Sequence, residues 1–112
     1  MDNKDAVTAL AALAQEARLA IFRLLVQAGP EGLAASRIAQ ALSMPSSSLS
    51  FHLKELTRAG LIVPRQEGRF IMYAAQFDTM HALLAFLTEN CCGGAPCGTA
   101  TKLACAPGAC GA

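Results

Sequence analysis

The stretch "AASRIAQALSMPSSSLSFHLKELTRAGL", residues 34–61, restricts the folds open to this chain more than any other part of it. Ile38, Ala39 and Leu42 recur at the spacing of one buried helical side, and Ser43-Met44 leaves room only for a tight turn. Pro45 suits the first turn of a second helix, where a missing N–H costs nothing, and the serines around it are expected to cap. Gly60 then supplies a helix stop. Two short helices joined by so short a turn make a helix-turn-helix.

Laid out at about 100° per residue, the second helix separates into two sides. Leu49, Leu53 and Leu56 share one, with His52 at its margin, while Ser47, Ser50, Phe51, Lys54 and Arg58 occupy the other. Ser46 and Ser48 complete the serine-rich start. Hydroxyls can bond base edges or phosphates, Lys54 and Arg58 can neutralise phosphates, and the ring of Phe51 can meet a thymine methyl. Taken alone, such a face is equally compatible with an ordinary solvated helix.

The neighbouring segment shifts the balance toward DNA contact. In "LIVPRQEGRFIMYAAQF", Leu61 to Val63 and Phe70 to Tyr73 are β-rich runs around "RQEGR", a Gly-containing turn with Arg65 and Arg69 at its ends. A hairpin directly after a helix-turn-helix is a wing, and its two arginines would lie over the sugar-phosphate backbone. The expected fold is mainly α with a small β-hairpin wing (α+β), a winged helix-turn-helix.

The outer segments point to self-association. "DAVTALAALAQEARLAIFRLLVQAG" reads as two helices broken near Ala14 to Glu16, the second carrying a core stripe of Arg18, Ile21, Phe22, Leu24 and Leu25. The first is apolar around Val7, Leu10 and Leu13, more greasy surface than a small monomer can cover. "DTMHALLAFLTEN" forms a last helix, with Asp78 or Thr79 as its cap and Met80, Leu83, Leu84 and Leu87 as its stripe. First and last helices together would make a two-fold dimer, which sets two recognition helices about one DNA turn apart.

Composition narrows the classes. The chain has 112 residues and a formal charge of +1, but between Glu31 and Phe77 five bases stand against three acids, concentrating positive charge where the recognition helix and wing fall. No run approaches the roughly 18 apolar residues of a membrane span, and the acidic start lacks the basic region of a signal peptide, so the expectation is a cytoplasmic protein without membrane contact. No enzyme reading survives: His52 and His81 fall in helices with no evident nucleophile, and there is no phosphate loop or paired-carboxylate site.

Read in order, "LAQEARLAIFRLL", "IAQALSMPSSSLSFHLKELTRAGLI" and "RQEGRFIMYAA" resemble the ArsR/SmtB family of metal-sensing winged-helix repressors, over roughly Ala12 to Asn90. "SSSLSFHLKEL" is similar to the family's Ser-rich recognition helix, which continues into His-Leu-Lys-x-Leu. The resemblance implies a homodimer that binds operator double-stranded DNA, represses genes and lets go when an inducer binds. The Cys-Val-Cys motif of the best-known arsenic sensors is missing from "LAASRIAQAL". The zinc sensors' last-helix site is short of a second histidine, since only Asp78, His81 and Glu89 are there.

All five cysteines lie in "ENCCGGAPCGTATKLACAPGAC". Clustered thiols in a reducing compartment point to metal or redox chemistry, and an odd count argues against a fully paired disulfide framework. The tail resembles a branch of the family in which a vicinal pair just after the last helix and a third cysteine bind arsenite; here these are Cys91, Cys92 and Cys97. Soft thiolates select soft acceptors, and trivalent arsenic takes three of them. Three thiolates on As(III) sum to zero charge, whereas three on Zn²⁺ leave one negative charge beside a helix C-terminus that is already partly negative. Cys105 and Cys110 have no diagnostic spacing and are accessory candidates.

The sequence therefore divides into residues 1–90, a winged helix-turn-helix DNA-binding and dimerisation domain, and residues 91–112, a cysteine-rich flexible tail carrying the inducer site. The expected function is an arsenite-responsive repressor, with antimonite as a further candidate inducer. The alternatives are a zinc- or cadmium-responsive repressor, or a thiol redox sensor on the same scaffold. The expected DNA contacts are Ser46, Ser47, Ser48, Ser50, Phe51, His52, Lys54, Arg58, Arg65 and Arg69.

Overall fold

The computed structural model of the chain describes residues 1–94. Helix α1 spans Asn3–Leu13 and α2 spans Glu16–Ala28, so the break falls where Gln15 leaves the helical region and becomes the N-cap of α2. Asp2 caps α1 by accepting from the Asp5 N–H at 2.8 Å, and Gln15 accepts from the Arg18 N–H at 3.0 Å. Helical spacing puts Arg18 in the core stripe, but it is only half-buried. Its guanidinium Nε donates to the Ala12 carbonyl at 2.7 Å, closing the open end of α1.

A two-residue strand β1, Leu33–Ala34, precedes α3 at Ala35–Leu42 and is not foreshadowed by any sequence pattern. Helix α4 covers Ser46–Arg58; strands β2, Ile62–Glu67, and β3, Phe70–Ala75, form the hairpin; α5 is Phe77–Leu87. The three strands are antiparallel in the order β1-β3-β2, with Leu33 opposite Tyr73 and Ile62 opposite Ala75. None of the described helices is long and apolar enough to cross a membrane.

Local chemistry accounts for the boundaries. Ser43 takes the left-handed conformation (φ 50°, ψ 48°), and the Met44 N–H returns to the Ala39 carbonyl at 3.0 Å, which ends α3 within one residue. Helix α4 ends in a Schellman motif: the Gly60 N–H donates to Thr57 O and the Leu61 N–H to Leu56 O, both at 3.0 Å, with Gly60 at φ +79°. Leu61 is fully buried, so the same motif that stops the helix drops the chain into the core to start the wing.

Among the described residues the core forms one cluster. Ile21, Phe22 and Leu25 of α2, Ile38 of α3, Leu49, Leu53 and Leu56 of α4, Leu61, Ile62 and Ala75 of the hairpin and Leu83 of α5 pack together with Ala6 and Ala9 of α1. Small alanines at the inner side of α1 let that helix lie close, with Leu13 packed against the core at its end, while Val7, 63% exposed, and Leu10, 41% exposed, turn outward. Helix α5 does likewise, burying Leu83 and leaving Leu84 and Leu87 open.

Candidate nucleic-acid interface and vicinal thiols

Helix α4 is fixed from beneath by Leu49, Leu53 and Leu56, each buried to 3% exposure or less. Its other side is therefore turned outward, and Ser46, Ser47, Ser48, Ser50, Phe51, Lys54 and Arg58 are all exposed there. Contrary to the sequence-based expectation, the serines make no cap. Pro45 holds the N-cap position, and no side chain accepts from the first-turn amides. The cap must come from the N-cap side chain itself, and proline has no acceptor there. The first-turn amides, at Ser46 to Ser48, thus receive no side-chain cap at the partly positive end of the helix.

His52 sits at the margin, half-buried. Its Nδ1 is enclosed and meets no hydrogen-bond partner among the described residues. Its ring meets that of Phe51 edge to face, with centroids 5.6 Å apart and planes at 64°. Phe51 itself is 57% exposed. Arg58 pairs with Glu55 at 3.2 Å along the helix, its side chain 71% exposed, and it borders the groove that α4 forms with Thr8 and Asp78 of the outer helices.

Helix α4 and the wing adjoin through a shallow groove lined by Ser50, Lys54 and Thr57 on one side and Pro64 and Tyr73 on the other. The turn of the wing is tighter than the five-residue "RQEGR" expected: Glu67 pairs with Phe70, which leaves only Gly68 and Arg69 between the strands. Gly68 has φ +61°, the conformation that two-residue hairpins assign to glycine. Arg69 stands exposed at the tip. Arg65 is placed differently. It lies inside β2 opposite Met72, and its guanidinium reaches over β3 to the Glu31 carbonyl at 2.9 Å and the Pro30 carbonyl at 3.4 Å, with Glu67 Oε1 also at 3.4 Å. Two expected phosphate contacts thus occupy unlike settings, one at the tip and one tied across the sheet.

The sequence suggests Asp78 or Thr79 as the cap of α5, but neither caps it; the N-cap is Gln76, two residues before Asp78, and it makes no side-chain bond. Asp78 remains in the first turn, where a carboxylate suits the helix dipole. Beyond α5, Asn90 (φ 57°) and Cys92 (φ 56°) are left-handed, followed by Gly93 and Gly94 at φ 67° and 94°. This turn carries the Cys91 and Cys92 sulfurs to 3.6 Å from each other. Two thiolates held at about 2.3 Å by one tetrahedral ion stand ~3.8 Å apart, so the pair already has chelating spacing. Cys92 is exposed and Cys91 partly covered. Among the described residues no group of three His, Cys, Asp or Glu side chains gathers around a common point, and Asp78 and His81 make no such site. The expected third ligand Cys97, and Cys105 and Cys110, lie outside the described residues.

The chain's similarities to known proteins agree in kind. A family described as helix-turn-helix domain matches residues 13–65. A putative arsenical resistance operon repressor ArsR from Halobacterium salinarum is 39% identical over 67 residues, 60% of this chain but only about half, 51%, of that protein. The transcriptional activator HlyU of Vibrio cholerae is 31% identical over 91 residues, 81% of this chain and 82% of its own length. Among solved structures, an ArsR-like transcriptional regulator from Rhodococcus sp. RHA1 has a TM-score of 0.68 at 27% identity, covering 75% of this chain and 76% of its own. The homodimeric winged helix-turn-helix DNA-binding domain of a possible ArsR-family regulator from Mycobacterium bovis has a TM-score of 0.63 at 29% identity, covering 78% and 81%.

Proposed function

The chain belongs to the ArsR family of winged-helix transcription regulators, DNA-binding proteins rather than enzymes, and on that premise we propose that it is an arsenite-responsive repressor that holds operator DNA as a homodimer and releases it when As(III) binds Cys91, Cys92 and Cys97. The observation that carries the inducer reading is the 3.6 Å separation of the Cys91 and Cys92 sulfurs directly after the last helix. Two neighbouring thiolates this close offer a soft metalloid the kind of ligand it selects. The halobacterial relative named as an arsenical resistance repressor supports the same reading.

In this mechanism residues 1–90 are the DNA-binding and dimerisation unit and residues 91–112 the sensor segment. The exposed serines and amides at the start of α4, with Lys54, Arg58 and His52 along it, dock in the major groove and on its phosphates, and Arg69 follows the backbone at the wing. The uncovered leucines and valine of α1 and α5 supply the subunit contact, a reading supported by the homodimeric state of the similar Mycobacterium bovis domain. When arsenite draws the three sulfurs together, the turn after α5 is pulled onto the end of that helix. Because α5 belongs to the dimer contact, the two recognition helices change spacing. A coupling of about 1–3 kcal/mol would lower DNA affinity roughly 5- to 150-fold. Antimonite has the same thiophilic chemistry and would act alike, with Cys105 and Cys110 as accessory ligands.

One observation favours a second reading: two thiols this close can also be oxidised to each other, and zinc or cadmium would accept the same spacing. A mobility-shift titration separates them. Arsenite is expected to release the wild type and to leave a Cys91→Ser/Cys92→Ser variant bound. Equal release of both would refute the site; release by zinc, cadmium or peroxide with indifference to arsenite would replace the inducer.

A further inference from the structure

The first half of the outward face of α4, Ser46 to Phe51, lacks the side chains that read bases by paired hydrogen bonds. Guanine is read bidentately by Arg or Lys and adenine by Asn or Gln. From Ser46 to Phe51 the helix offers four serines, the buried Leu49 and the phenylalanine itself. Lys54 stands about one turn further on, and Arg58 lies at the far end, paired with Glu55. A serine hydroxyl is short and accepts or donates to almost any edge or phosphate, so it positions more than it discriminates.

That leaves Phe51 as the side chain of this half of the helix with both reach and selectivity. It is 57% exposed in the midst of a polar face. Association through α1 and α5 would not cover it, because it lies on the side of α4 opposite the core. The Phe51 and His52 rings meet edge to face with centroids 5.6 Å apart, a contact that favours this orientation of the exposed ring. In the major groove the one apolar feature of a base pair is the 5-methyl group of thymine. We propose that Phe51 is the specificity-determining residue of this protein and reads a thymine methyl in each half-site, so that sequence preference rests on a methyl contact where bidentate pairs are lacking. This inference rests on the DNA-binding reading and is independent of the inducer.

The test removes the methyl and nothing else. A binding sequence is selected from a randomised duplex with the wild type, without arsenite. Each thymine is then replaced singly by deoxyuridine, and affinities are measured by fluorescence anisotropy for wild type, Phe51→Ala and Phe51→Leu. At one position in each half-site uracil should weaken the wild type about fourfold, the worth of one buried methyl, and replacing both should weaken it about 16-fold. Phe51→Ala should bind thymine and uracil duplexes equally, and Phe51→Leu should keep part of the discrimination. The exposed position makes both substitutions compatible with folding. A selected sequence whose uracil scan is flat, or whose losses are the same in wild type and Phe51→Ala, overturns this inference alone. Failure to select any sequence overturns it together with the DNA-binding reading.

Discussion

Arg65 and Arg69 show how little a residue's identity says about its use. Both are arginines at the ends of one pentapeptide, and both have the charge that a phosphate contact needs. Arg69 stands exposed at a two-residue turn, whereas Arg65 crosses the sheet to carbonyls of Pro30 and Glu31, residues 35 and 34 positions away. Arg69→Ala should reduce the slope of log affinity against log salt by about 1, the signature of one lost phosphate contact, and leave stability unchanged. Arg65→Ala should cost about 1 kcal/mol in urea unfolding, a net value for partly exposed hydrogen bonds, with the salt slope kept. Equal salt slopes in the two variants would refute this division of roles. The spacing of Arg65 was readable; its partners were not, because they belong to a loop that only folding brings near.

At the scale of elements, the loop before β1 depends on one glycine. Gly32 is buried at φ +74°, and a Cβ there would run into the Tyr73 carbonyl of the neighbouring strand. Gly32→Ala combines a left-handed strain with a backbone collision and should cost about 3 kcal/mol in denaturant unfolding. Gly68→Ala at the wing turn has φ +61° but open space around it, and should cost about 1–2 kcal/mol. A Gly32→Ala protein as stable as wild type would show that β1 is dispensable. The helices α1 to α4 were legible from periodicity, and the ends of α2 and α4 from Gly29 and Gly60. Strand β1 was not legible: two residues have no period, and they become a strand only because β3 offers them hydrogen bonds.

For the whole molecule, the decisive feature is the apolar surface that α1 and α5 leave uncovered, with Val7 at 63%, Leu84 at 40% and Leu87 at 55% exposure. Leu84→Glu/Leu87→Glu changes only side chains outside the core, so the fold should persist while sedimentation shows a monomer. Operator affinity should fall about 100-fold or more, since two half-sites would no longer be held by one particle. A variant that remains dimeric would exclude α5 from the subunit contact.

The sequence alone determined the order of helices, the turn, the wing, the outward face of α4 and the vicinal thiols, because each is a local pattern: a period, a cap, a glycine or a pair of neighbours. Tertiary structure decided that the serines of α4 stay open rather than cap, that Arg65 bonds to carbonyls across the sheet, that His52 Nδ1 is enclosed beside the Phe51 ring, and that the turn after α5 sets two sulfurs at 3.6 Å. Those outcomes depend on distances between groups far apart in the chain or on the dihedral angles of one turn, and residue spacing carries neither.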